Sequence, residues 1–247
     1  MKKEKKKPGR DVRRWRRAKD ALSDLFELYS NIDVWCEMAE KKLGELPCKK
    51  GCSYCCHQLV TVSIPECIAI VLYLKNVKGD LPGFVSRIRP RLVEQSEKLL
   101  RMETSIKQWF DDRTPCVFLD SEGSCTIYAE RPSICRSVLV MPGSDCSFES
   151  EGAMRVDNRQ ITELTLMAST KAAEELGIPL GHAPLPIAFG WALTYVMRGR
   201  YELLSQLKGT IFADDQNGLK YWSLLHADDP KALLEEPNVE GKENRPG

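Results

Sequence analysis

The run Cys48-Lys49-Lys50-Gly51-Cys52-Ser53-Tyr54-Cys55-Cys56-His57 places four cysteines within nine residues. Thiolates crowded this closely repel one another unless a cation sits among them. As soft ligands they favour zinc, copper(I) or an iron–sulfur cluster over hard cations. Gly51 frees the backbone to bend around such a centre. Cys55 and Cys56 are adjacent, and neighbouring side chains diverge in both helix and strand. Their two sulfurs therefore serve different metals, or only one of them is a ligand.

A second group, Cys116, Cys125 and Cys135, is spaced C-x8-C-x9-C, and Cys146 follows it. Eight cysteines satisfy two four-thiolate sites. Seven leave one site to be completed by His57, Cys146, water or a substrate. Cys36 and Cys67 fall instead on the apolar faces of expected helices, where a thiol packs as a small hydrophobe.

Metal ligation is preferred to disulfides on composition. Ten cysteines in 247 residues is too sparse for a disulfide scaffold, and 43% hydrophobic residues supply a core without one. The charged start Met1 to Lys7 is not followed by the apolar core of a signal peptide. The longest uncharged apolar stretch, Leu185 to Met197, is too short to span a bilayer. The expectation is a soluble cytoplasmic chain with no membrane association, in which clustered cysteines are metal ligands or redox groups.

Around the cysteines the pattern is helical. Apolar residues from Trp15 to Leu43 recur every three or four positions, one face of a long helix from about Asp11 that Gly44 and Pro47 end. Ser63-Ile64-Pro65-Glu66 reads as a capped start for a helix reaching Gly79. A further helix is expected over about Phe84 to Phe110, broken or kinked near Pro90. Cys116 to Leu119 and Cys125 to Tyr128 read as a small hairpin across Asp120 to Ser124. Arg131 to Arg136 reads as a short helical turn carrying Cys135. Helices are expected again from Ile161 to Leu176 and from Ile187 to Leu207, and no internal repeat stands out. The fold class is mainly α with a small β-hairpin element and a cysteine-ligated metal centre.

Four parts follow from this pattern: a basic, disordered tail at 1–19, a helical cysteine-cluster domain at 20–150, a helical C-terminal extension packed on it at 151–234, and a disordered end at 235–247. The tail holds eleven Lys/Arg against Glu4 and Asp11, a net of +9; with +1 for the whole chain, the other 228 residues carry −8. Such a tail is a solvated end, or one that meets a polyanionic or acidic protein partner. No nucleic-acid motif accompanies it, so nucleic acid is not the expected partner.

The ordered set C-x3-C-x2-C-C, C-x-F-L, C-x-I-Y and R-P-x-x-C-R resembles the YkgJ-type cysteine-cluster family, known as a CxxCxxCC zinc- or iron-chelating domain. The residues that carry the likeness are Cys48, Cys52, Cys55 and Cys56, Cys116 to Leu119, Cys125 to Tyr128, and Arg131 to Arg136, within about residues 45–140. The resemblance implies chelation of zinc or iron and supplies no reaction. A flagellin lysine methylase is similar to this family over the cluster, which implies an enzymatic alternative. The spacing of Cys48, Cys52 and Cys55 also matches the C-x3-C-x2-C of radical S-adenosylmethionine enzymes, but the chain lacks the strand–helix repeats of their barrel. A third reading is a zinc-structured interaction or metal-handling module. Arg131 and Arg136 flank Cys135, either offsetting excess thiolate charge or holding an anionic partner, or simply pairing with Glu130 or Asp120. No phosphate loop, dinucleotide fingerprint or nucleophile elbow is present, so a catalytic role is left open.

Overall fold

The computed structural model describes residues 10–44, 52–100, 106–138, 140, 159–178 and 180–198. At its centre lies α3 (Ile64–Tyr73), in which every residue from Ile64 to Leu72 is buried. A helix apolar on all sides must be enclosed, and α3 packs against α8 (Leu185–Arg198), α7 (Arg159–Leu176) and α1 (Arg10–Ala21). Ahead of α3, β1 (Thr61–Ser63) pairs antiparallel with β2 (His182–Pro184), which leads directly into α8.

The start of each helix bonds to the residue flanking the other strand. Ile64 N–H donates to Gly181 O at 2.9 Å, and Leu185 N–H donates to Val60 O at 3.0 Å. Each helix carries proline at its second residue, Pro65 and Pro186, where the missing N–H costs no helix bond. Three-residue strands give no periodicity to read, so the sheet was not visible in sequence. The β element is this sheet. The expected hairpin is a turn with a single antiparallel bridge, Leu119 to Cys125, because Asp120 folds the loop onto itself. Its Oδ1 accepts from the N–H groups of Glu122 at 3.0 Å and Ser124 at 2.7 Å.

The long helix expected from Asp11 is α1 followed by α2 (Ser23–Leu43), with a minor break at Leu22. Residues 10–19, expected within a disordered tail, are helical. Ala18 and Ala21 are buried, and the Arg17 guanidinium donates to Glu175 O at 2.8 Å, in the last turn of α7. Cations favour that end of a helix, which gives a basic segment a reason to dock. Lys171 adds a 2.7 Å ion pair to Asp24 between α7 and α2. Along α2, Leu25, Leu28, Tyr29 and Ile32 are buried, but Leu43 is exposed, so the buried face stops well short of the helix end.

α4 (Leu81–Leu100) continues through Pro90, and α5 is Ile106–Asp111; residues 101–105, within the helix expected over Phe84 to Phe110, lie outside the described residues. Short α6 (Ser133–Arg136) lies against α2 and α7. No helix among the described residues is long and apolar enough to cross a membrane. Residues 1–9 and 199–247, including the last part of the helix expected to reach Leu207, lie outside the described residues.

One buried carboxylate ties these parts together. Glu66 completes the expected capping box: its Oε2 accepts from Ser63 N–H at 2.9 Å and Ser63 Oγ at 3.0 Å. Its Oε1 reaches α6, accepting from Ser133 N–H at 3.0 Å and Ser133 Oγ at 2.7 Å. Ser63 spends its one hydroxyl hydrogen on the carboxylate, so the 2.9 Å contact with Ser169 of α7 is donated by Ser169. Glu66→Gln keeps the shape but turns an N–H donor toward two existing donors. We expect it to lower unfolding free energy in urea by about 2–3 kcal/mol. A loss below about 0.5 kcal/mol would show that the network is dispensable.

Candidate metal centre

Three separate segments bring cysteines to one cavity of about 490 Å³. The first is a single 3-10 turn, Tyr54–His57, carrying Cys55 and Cys56, with Cys52 just ahead of it. Cys56 N–H bonds Ser53 O at 2.9 Å, and the His57 Nδ1–H donates to the same carbonyl at 2.9 Å. The edge of Tyr54 meets the Phe110 ring, centroids 5.8 Å apart, which anchors the turn to α5.

The second segment, carrying Cys116 and Cys125, is held by backbone and by α4. Cys116 N–H donates to Cys56 O at 2.7 Å, stitching it to the first segment. From α4, Arg91 donates to Cys116 O at 3.1 Å and Leu119 O at 2.7 Å, while Gln95 Nε2 donates to Pro115 O at 2.7 Å. Thr126 N–H and Oγ bond Phe118 O at 2.9 and 2.8 Å, closing the turn. Phe118 is the apolar anchor, packed edge-on against Phe189 of α8 with centroids 4.8 Å apart. The third segment is α6, where the Glu66 network fixes Ser133 and, two residues on, Cys135.

The thiols interact electrostatically as a group. Donation to Cys55 is the largest effect on Cys56 and, with burial, drives its pKa far above the ordinary thiol value. Burial lifts Cys116 to about 12, against the pull of the Phe118 N–H and with further repulsion from Cys125 and Cys55. Burial also raises Cys125 and, more strongly, Cys135. Negative charge on Cys55 pushes up all four of these neighbours. None of the eight described cysteines forms a disulfide. Among the described residues, no three His, Cys, Asp or Glu side chains stand as a finished ligand set. The cluster is gathered around a common space without being closed on one point.

Of the eight candidate ligands, Cys52, Cys55, Cys56, Cys116, Cys125 and Cys135 line this cavity. Cys48 and Cys146 lie outside the described residues. His57 is not among the residues lining the cavity. Cys67 is fully buried in the apolar core, as expected, whereas Cys36 is half-buried and its S–H donates to Arg136 O at 3.5 Å.

The two arginines that flank Cys135 in sequence have separate tasks. Arg136 is buried, pairs with Asp33 of α2 at 2.5 Å, donates to Arg131 O at 3.0 Å and to Ala129 O, and lies 4.6 Å over the Tyr29 ring. It is a strut between α6 and α2. Arg131 lines the cavity, stacked 3.9 Å over the Tyr128 ring. Sequence reasoning missed the supports, Arg91, Gln95, Asp33 and the Ser133 end of Glu66. Each acts on a carbonyl or side chain far along the chain, and no local pattern announces that.

Next to Arg136, Glu130 has a buried Oε1 with no hydrogen-bond partner. Burial raises its pKa to about 7, against the attraction of Arg136 and with help from Asp33. An acid whose folded pKa is raised holds its proton more tightly when folded. Its contribution to stability therefore falls as pH climbs from about 4.5, the ordinary value, to about 7, and levels off above. Glu130→Gln should remove that fall, flattening the stability profile over this window relative to the parent chain. Parallel profiles in urea titrations across pH 4.5 to 7.5, about the range where the group titrates, would contradict the assignment.

No curated protein and no solved structure matches the chain. The expected family does appear, over a longer stretch than the motifs themselves: residues 47–163, which contain all eight candidate cysteines, Glu66, Arg131 and Arg136, match the CxxCxxCC family model, described as a putative zinc- or iron-chelating domain.

Proposed function

We propose that this chain chelates zinc or iron through the thiols of Cys52, Cys55, Cys56, Cys116, Cys125 and Cys135, together with Cys48 and Cys146. The observation that carries the reading is the convergence of six cysteines from three segments on one cavity. The donor set fits the group. It offers only soft sulfur, which suits zinc and iron–sulfur centres, and several thiols whose mutual repulsion a cation would relieve. Bound there, the metal would supply positive charge that lets buried thiols ionise and, if a coordination position stays open, a Lewis-acidic or redox centre. The chain's own part is to hold Cys55 among four neighbours, to pin Cys116 through Arg91 and Gln95, and to pin Cys135 through Glu66. In this reading residues 20–150 form the metal-binding domain, and 151–234 form a helical extension whose α7 and α8 pack on α2 and α3.

A second reading is an iron–sulfur enzyme, of the radical S-adenosylmethionine or lysine-methylase kind. The size of the cavity favours it, since about 490 Å³ is within the range of small-molecule pockets and exceeds the needs of a closed structural zinc site. A zinc-structured module meeting an acidic partner through the basic tail is the non-catalytic alternative.

Purification without oxygen or chelators, followed by elemental and acid-labile sulfide analysis, separates these readings. The parent chain should carry about one metal or more, Cys55→Ser and Cys135→Ser should each lose most of it, and Cys36→Ser should keep it. Iron with sulfide would select the cluster reading and zinc alone the structural or handling one. Less than about one-fifth of a metal per parent chain would overturn chelation altogether.

A further inference from the structure

The cavity that gathers the thiols also holds a positively charged group, for which no hydrogen bond or ion pair to the fold is seen among the described residues. Arg131 is the one charged side chain lining it among the described residues. Its Nε is buried and has no hydrogen-bond partner, while the guanidinium carbon lies 3.9 Å over the Tyr128 ring. A buried donor left without an acceptor is costly, and native structures seldom keep one without a reason. Its neighbour Arg136 makes the contrast plain, since Asp33, Arg131 O and Ala129 O occupy that guanidinium on three sides. Apart from the thiols, of which Cys125 feels the Arg131 charge, much of the wall is apolar: Val60, Phe118, Ile134, Val138 and Leu185 line it, with Gln58, Ser124 and Thr126 as neutral polar groups. An apolar cavity of this size with one convergent cationic donor is the usual form of a site for a small organic anion. Guanidinium stacked on an aromatic ring is also preorganised for the planar, two-point contact that carboxylates make.

We propose that the cavity binds a small organic anion with an apolar body, its anionic group held by Arg131 beside a metal on the thiols. The proposal deepens the chelating reading and rests on it for the metal neighbour. Arg131 then determines which molecules approach the metal, favouring an acid over its neutral counterpart. Arg136 and Glu66 only hold the wall in place.

The test uses the full chain as purified with its metal, and two fluorescent probes with one ring system: 8-anilinonaphthalene-1-sulfonate, an apolar anion, and N-phenyl-1-naphthylamine, which lacks the sulfonate. The sulfonate should bind the parent chain, and Arg131→Gln should weaken that binding by about 10-fold, the effect of losing one charge-assisted hydrogen bond. The neutral probe should bind both chains alike, and Arg87→Gln, an exposed arginine on α4, should change neither probe. Tyr128→Leu, at an exposed position, frees the guanidinium without touching the core and should weaken sulfonate binding a few-fold, which keeps the test open if Arg131→Gln misfolds. Equal sulfonate binding by the parent, Arg131→Gln and Tyr128→Leu chains, or none by the parent, would overturn the proposal. Metal measured on the same samples separates the two readings. Metal present without Arg131-dependent binding sinks this inference alone. Arg131-dependent binding with no metal sinks chelation and leaves the anion site standing.

Discussion

The carboxylate of Glu66 joins the central helix to the segment that carries Cys135. It lies in the first turn of the central helix, 2% exposed, and each of its oxygens accepts two hydrogen bonds. A buried carboxylate is tolerable only when its lone pairs are met, and here the donors come from two elements that are distant in sequence. The helix N-terminus adds favourable partial charge. One oxygen closes the cap of α3, the other grips the start of α6, and Ser169 joins α7 through Ser63. The position of Cys135 is thus a consequence of a capping carboxylate that grips its near neighbour Ser133 from 67 residues earlier in the chain.

Backbone carbonyls do the same work on the other side of the cavity. Arg91 and Gln95 of α4 bind the carbonyls of Pro115, Cys116 and Leu119, and Cys116 in turn bonds the turn that bears Cys55 and Cys56. The sulfurs are brought together by a frame whose bonds do not involve them. That frame spends its stability on holding thiols that, once ionised, repel one another. Burial first and thiol–thiol repulsion after it raise the pKa values of Cys116, Cys125 and Cys135, while donation to Cys55 leads for Cys56, and a cation on the thiols would offset both burial and repulsion. The arrangement and the family match over residues 47–163 both point toward chelation.

How much of this could be read from the chain alone follows from the range of each interaction. The capping box at Ser63 and Glu66, the short helix at Cys135 and the helix from about Ile161 to Leu176 are local patterns, and all three are present. The helix of α3 was readable from its cap and the apolar residues Ile68 to Leu74, but its complete burial was not. The β1–β2 sheet was not, because three residues per strand leave no alternation to detect and the partners lie over a hundred residues apart. The hairpin expected around Cys116 and Cys125 had the right residues, but an Asx turn at Asp120 reduced it to one bridge. The cysteine motifs named the candidate ligands and even their grouping. They could not tell Arg131 from Arg136, since only the packing of α2 shows that Asp33 claims one of them.

The central claim is that the three cysteine segments serve one thiolate-bound metal centre. X-ray absorption fine structure at the edge of the metal in the purified full chain tests it most directly. The account predicts a shell dominated by sulfur at about 2.3 Å, with sulfur neighbours lost in Cys125→Ser. A shell of nitrogen and oxygen at about 2.0–2.2 Å, unchanged by that substitution, would contradict it.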